Sequence, residues 1–172
     1  MARRSGDAIR FYAGSVDATR VPVTLPGVRT LFSGFHHFAP KAARAVLEDA
    51  VRTRQPIAVF EASHRSVAAL FAITFSPLFV LLVTPAIRPF RISRLFWTYL
   101  VPLIPLLVLF DGVISSLRIY TPTELLELTA GLGGDDYQWE AGEDRGAGPL
   151  PTTYLIGYPT QCLASVSDVA YR

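Results

Sequence analysis

The chain is poor in the residues from which protein chemistry is most often read. In 172 residues it has one cysteine, Cys162, one methionine, and a single lysine, Lys41, beside many arginines. A lone cysteine excludes an intrachain disulfide and a cysteine-based metal site, and suits a reducing compartment. No G-x-S-x-G, P-loop, H-E-x-x-H or C-x-x-C pattern occurs. That removes the usual signatures of serine hydrolases, P-loop NTPases, zincins and dithiol redox proteins. The net charge is only +2 and the arginines are scattered rather than striped, so no nucleic-acid footprint is present. The opening Met-Ala-Arg-Arg-Ser-Gly-Asp lacks the apolar core of a secretory signal, and the expected location is cytoplasmic. Neither an internal repeat nor a long low-complexity tract is visible.

Apolar residues are what the chain has in excess. They make up 51% of it, with a mean hydropathy of +0.35. The excess sits in two runs. Ser66 to Ile87 carries no charge, and Leu95 to Phe110 carries none either, continuing past Asp111 to Leu117. The link between them holds Arg88, Arg91 and Arg94. The first run is long enough to cross a hydrocarbon core of about 30 Å as a helix, and the second is borderline. Pro77, Pro85, Pro89, Pro102 and Pro105 interrupt the pair, and an interior proline removes a helical hydrogen bond and favours a kink. Two full crossings from a cytoplasmic domain would leave the three arginines outside, against the positive-inside tendency. A shallow insertion into one leaflet, arginines at anionic head groups, is the first expectation. A lid over an apolar substrate is the second. Either places the chain at the inner face of the membrane or in contact with a greasy ligand.

The flanks of this hairpin read as α/β. Strands are expected at Ile9–Val16, Val28–Phe35 and Pro56–Ala62, the last nearly all apolar, as in a buried parallel strand. Between the second and third, Pro40 suits a first helical position. After it Ala43, Val46, Leu47, Ala50 and Val51 recur at helical spacing to about Arg54, which is an amphipathic helix. After the hairpin, Thr121-Pro-Thr-Glu124 is a capping box with proline behind the cap. It opens a helix stopped by Gly131 and Gly133-Gly134. Tyr137–Glu143 and Thr152–Tyr158 read as an antiparallel pair joined by a polar loop. A strand–helix–strand core implies parallel pairing through a crossover. The chain divides into residues 1–65, an α/β half; 66–117, the apolar hairpin; 118–160, a helix and the final strand pair of the same domain; and 161–172, a tail.

In order and spacing these segments resemble the C-terminal part of a class I S-adenosylmethionine-dependent methyltransferase. The residues that carry the likeness are Val16-Asp-Ala-Thr19, Phe32-Ser-Gly-Phe-His-His-Phe38, the helix from Pro40, the strand Pro56-Ile-Ala-Val-Phe-Glu61, and the ending from Tyr120-Thr-Pro-Thr-Glu-Leu125 onward. The resemblance implies a partial Rossmann-like sheet, strands three to seven, with the apolar hairpin inserted after strand five. In that family the lateral strand order is three, two, one, four, five, seven, six. The family's glycine-rich loop and its ribose-binding acidic residue, which belong to strands one and two, have no counterpart here. The chain by itself is therefore expected to bind the methyl donor weakly. A complementing N-terminal fragment, or a second copy at the exposed edge of the Val28–Phe35 strand, is the expected protein partner.

The same resemblance assigns candidate residues. Asp17 and Ala18 would meet the adenine ring; Ser33, Gly34 and Phe35 would lie at the methionine end of S-adenosylmethionine. His36 and His37 would face the gap between cofactor and acceptor, and either has the chemistry of a general base near neutral pH. Glu61 is a candidate on its own account, ending an apolar strand at the C-terminal edge of the sheet, where open α/β sheets bind ligands. Each also has a plainer reading: Asp17 as a turn residue, Glu61 as a solvated strand end, the histidines as bystanders of a transfer that needs only in-line placement. Adjacent histidines on an extended segment point to opposite faces, so a shared metal ion is not expected. Tyr120, Trp97 and Tyr99 read either as cavity lining or as core and interface aromatics. The expected function is methyl transfer to a hydrophobic or membrane-associated small molecule, by a truncated or split enzyme. The alternative is a non-catalytic protein anchored or joined to a partner by the hairpin.

Overall fold

The computed structural model describes residues 12–62, 65–145 and 151–161. It is a mixed α/β domain with an apolar helical excursion. The strands are β1 (Arg29–Phe32), β2 (Ile57–Glu61), β3 (Tyr137–Asp144) and β4 (Thr152–Pro159). They form one sheet in the order β1-β2-β4-β3. β1 and β2 are parallel, with Phe32 opposite Phe60, whereas β4 runs antiparallel to both β2 and β3.

Helix α1 (Pro40–Arg52) makes the β1-to-β2 crossover. Proline stands at its start, and its stripe Ala43, Val46, Leu47 and Ala50 is buried. It ends at Thr53, after which Arg54 takes a left-handed φ of 51°. Helix α6 (Pro122–Thr129) opens with the complete capping box: the Thr121 hydroxyl accepts from the Glu124 N–H while the Glu124 carboxylate accepts from the Thr121 N–H. Both helices lie against one face of the sheet. Their meeting is the core, built of Phe35, Ala43, Val46, Leu47, Ala50, Ile57, Val59, Leu125 and Leu155. Thr121→Ala should lower stability by about 1 kcal/mol, the usual worth of a cap, seen as a fall in melting temperature of about 2–4 °C.

The opposite face of the sheet has no helix on it among the described residues. Phe60, Tyr154 and Ile156 are only half buried there, and Phe32, 69% exposed, stacks on Phe60 at 5.3 Å.

The expected strand at Ile9–Val16 is a correction. Residues 9–11 lie outside the described residues, and 12–16 are irregular and exposed. Among the described residues the sheet therefore has four strands, not the five of a set numbered three to seven. The reason is lateral: a single strand needs a neighbour to satisfy its N–H and C=O groups, and β1 pairs only with β2. The other strands form within a few residues of their expected bounds.

The excursion leaves β2 through α2 (Val67–Ile73) and α3 (Ser76–Val83), turns, and returns through α4 (Ile92–Leu95), a π-helical turn (Phe96–Leu100) and α5 (Leu103–Arg118). Both α2 and α3 pack on α5. The return arm bends by 73° between Leu100 and Leu103, where Pro102 precedes α5 and has no N–H to give.

Candidate functional site

The site grows from the C-terminal ends of the parallel strands, the edge at which open α/β sheets bind ligands. The Ser33 N–H donates to the Phe60 carbonyl at 2.8 Å, the last rung of the ladder. Ser33 then takes a left-handed φ of 48°, and Gly34 leads into a 3-10 turn, Phe35–His37. This reversal aims two successive backbone N–H groups at the end of β2. Glu61 receives them: its Oε1 accepts from Phe35 at 2.7 Å and from His36 at 3.1 Å. Its Oε2 lies 2.8 Å from the His36 Nδ1. Glu61 is 2% exposed. A carboxylate in that position is tolerated because donors meet it.

The arrangement fixes the imidazole. Against an ionised Glu61 the Nδ1 carries a proton, and a neutral ring then keeps its lone pair on Nε2. His36 lines a cavity of about 430 Å³ together with His37, Arg65, Arg118, Tyr120 and Glu124. Phe38, Leu117 and Ile119 supply apolar wall. Arg65 is tied to Glu124 at 2.7 Å; among the described residues Arg118 has no ion pair. The Thr121 N–H and Arg65 hold the Glu124 carboxyl below its ordinary value. Burial pushes the Tyr120 phenol above its own, with Glu124 adding to the effect. The Tyr120 hydroxyl donates to the Phe38 carbonyl at 2.8 Å, pinning the turn to the base of the hairpin. A cavity with a fixed acceptor nitrogen, a free guanidinium and apolar walls can hold an amphipathic molecule and take a proton from it.

The structure gathers some of the sequence candidates and separates others. His36, His37 and Glu61 come together. The two imidazoles stand 4.2 Å apart, tilted by 41°, and border the same cavity. The reason given for their separation, opposite faces of an extended segment, is thus overturned, because the segment is a tight helical turn. Among the described residues no group of three or more histidine, cysteine or acidic side chains is placed to hold a metal.

Asp17 and Ala18 lie elsewhere. Asp17 caps its own turn, its Oδ1 accepting from the Thr19 N–H at 2.9 Å and hydroxyl at 2.8 Å. Those bonds, with a smaller contribution from Arg20, hold its carboxyl below the ordinary value. It borders an open groove beside α1 with Arg20, Glu48, Asp49 and Arg52, and Ala18 packs against the core. The Phe35 ring is buried and its N–H is already taken by Glu61. Ser33 is exposed, its hydroxyl within 3.4 Å of the Ala62 N–H.

Two further residues escaped the sequence reading. Arg65 reaches the cavity from just beyond β2. Asp49 is 2% exposed on α1 and accepts from Arg29 at 2.8 Å, from the Val21 N–H at 3.1 Å, and from Arg52. Burial opposes its charge, but these donors outweigh burial and hold its carboxyl below the ordinary value. Its signal was present: Asp49 follows Val46 by three, on the apolar stripe, where an acid is buried only if paired. Compared with known proteins, the chain matches no family model, no curated protein and no solved structure.

Proposed function

We propose that this chain is the acceptor-side half of a class I S-adenosylmethionine-dependent methyltransferase, working on a hydrophobic small molecule. One observation carries the reading. The order β1-β2-β4-β3, with β4 antiparallel between β2 and β3, is the order four, five, seven, six that the resemblance requires. The crossover helix between β1 and β2, and the capped helix before the last strand pair, fall where that reading puts them.

The residues present do not fit the cofactor by themselves. The Asp17 Oδ1 is spent on Thr19, and the Phe35 N–H on Glu61. Asp17 and His36 border different hollows. Holding the methyl donor is therefore assigned to a complementing fragment. What this chain contributes is on the acceptor's side. Leu117 and Ile119 take the apolar body and exclude water. Arg118 attracts an anionic or polar end. His36, oriented by Glu61, takes the acceptor proton at Nε2.

Calorimetry tests the reading. The chain alone should not bind S-adenosylmethionine. Mixed with a fragment carrying the glycine-rich loop and first three strands of a class I methyltransferase, it should. No binding in the mixture, although the fragments associate, would remove the enzyme reading and favour the anchored, non-catalytic alternative.

A further inference from the structure

The hairpin is built inside out, and this holds whether or not the methyl-transfer reading does. Between its arms lie small and hydroxylic residues. Thr84, Thr98 and Ser116 are buried. The Thr84 hydroxyl donates to the Val80 carbonyl and the Thr98 hydroxyl to that of Arg94, each at 2.7 Å. Both polar groups are thus satisfied within their own helix and ask nothing of water. Gly112 lets α5 approach α2 closely, since a Cβ there would stand 3.0 Å from the Ile73 side chain. Outward point the large apolar groups, Phe71, Phe79, Leu82, Leu100, Leu106 and Phe110, with Leu82 70% and Leu100 72% exposed. A water-soluble helix pair has the opposite polarity. Small residues at the contact and large apolar ones outside are the pattern of helices packed in lipid.

Length and charge name the same occupant. Val67–Ala86 is a helical stretch of 20 residues with mean hydropathy 2.3, only 11% of it buried. At about 1.5 Å per residue that is about the hydrocarbon thickness of a bilayer. At the turn stand Arg88, Arg91 and Arg94, none in an ion pair among the described residues, with exposed Trp97 and Tyr99 following. Unpaired cations beside interfacial aromatics suit lipid phosphates. A protein partner covering so uniformly greasy a surface would have to supply three acids at one end as well.

We propose that residues 66–118 are embedded in a phospholipid bilayer, with Arg88, Arg91 and Arg94 on anionic head groups. The test is flotation of the full chain with vesicles of phosphatidylcholine, alone or mixed with phosphatidylglycerol, followed by carbonate extraction. The chain should float with both, more firmly with the anionic mixture, and resist carbonate. Changing the three arginines to glutamine should weaken partitioning onto anionic vesicles by about 100-fold, at roughly fivefold per charge near the surface. Binding to neutral vesicles should barely change. Leu82→Asp combined with Leu106→Asp should release the chain from both, while circular dichroism keeps the signature of the α/β core. The proposal is overturned if the chain stays in the aqueous fraction, or leaves the vesicles as a discrete oligomer, which would make a second copy the occupant. Release by carbonate or salt would overturn embedding. An equal affinity for both lipid mixtures would overturn the role of the arginines.

Discussion

Asp49→Ala should destabilise the protein by about 3–5 kcal/mol, the cost of removing one partner of a buried ion pair. Asp49 is the hub of the side of the core nearest the N-terminus. It holds Arg29 of β1, the backbone of Val21 and Arg52 of its own helix. With it gone, the Arg29 guanidinium stays behind with the Thr53 hydroxyl at 2.8 Å, and its Nε is already without a partner among the described residues. For a chain of this length the loss corresponds to a fall in melting temperature of about 6–20 °C. The pH dependence has a fixed sign. The carboxyl of Asp49 lies below its ordinary value in the folded state. Its contribution is therefore complete above the unfolded value of about 3.9 and is lost as pH falls through the folded one. The gap between wild type and variant in denaturant titrations should be widest near neutrality and close below about pH 4. A gap that persists unchanged into acid would mean that Asp49 contributes by packing alone.

Glu61→Ala should be about as damaging, and Glu61→Gln should separate the structural from the chemical part. Alanine strands the N–H groups of Phe35 and His36, at about 1–3 kcal/mol for each buried donor left unmet. Glutamine keeps an oxygen for those two donors but turns an NH2 group toward the His36 Nδ1. That nitrogen must then accept rather than donate, and the ring proton moves to Nε2. Nitrogen-resolved NMR of the His36 ring should find the proton on Nδ1 in the wild type and on Nε2 in Glu61→Gln. Under the proposed methyl-transfer function, the same variant in the complemented chain should lose about a hundredfold in turnover, the lower end of what a positioned base supplies. An unchanged tautomer would show that Glu61 only ties the turn to the strand.

Much of this architecture was legible because its signals are local. The apolar run from Pro56, the capping box at Thr121 and the alternation from Tyr137 each carry their structure in a few adjacent residues, and each formed within a residue or two of its expected bounds. Long-range causes were harder to see. Ile9–Val16 has strand-like alternation, but a strand exists only beside another, and none is offered among the described residues. The histidine pair was misjudged because its geometry hangs on one left-handed residue, Ser33, for which serine is no signal; only Gly34 beside it hinted at a turn. The Glu61 bonds depend on two segments separated by a whole helix, so their spacing says nothing of them. The hairpin was plain as composition. Its polarity was not, since which side of a helix faces its neighbour is decided by the partner arm.

The bare side of the sheet has a consequence for how the molecule ends. β1 carries no proline, no lysine and no bulge that would discourage another strand, and Phe32 and Phe60 form an aromatic step that continues to its margin. Among the described residues no strand or helix stops the layer there. Among those residues β1 is thus an open edge of the sheet. A further strand laid parallel to β1, with helices to roof the naked face, would complete the layer without disturbing any bond already made.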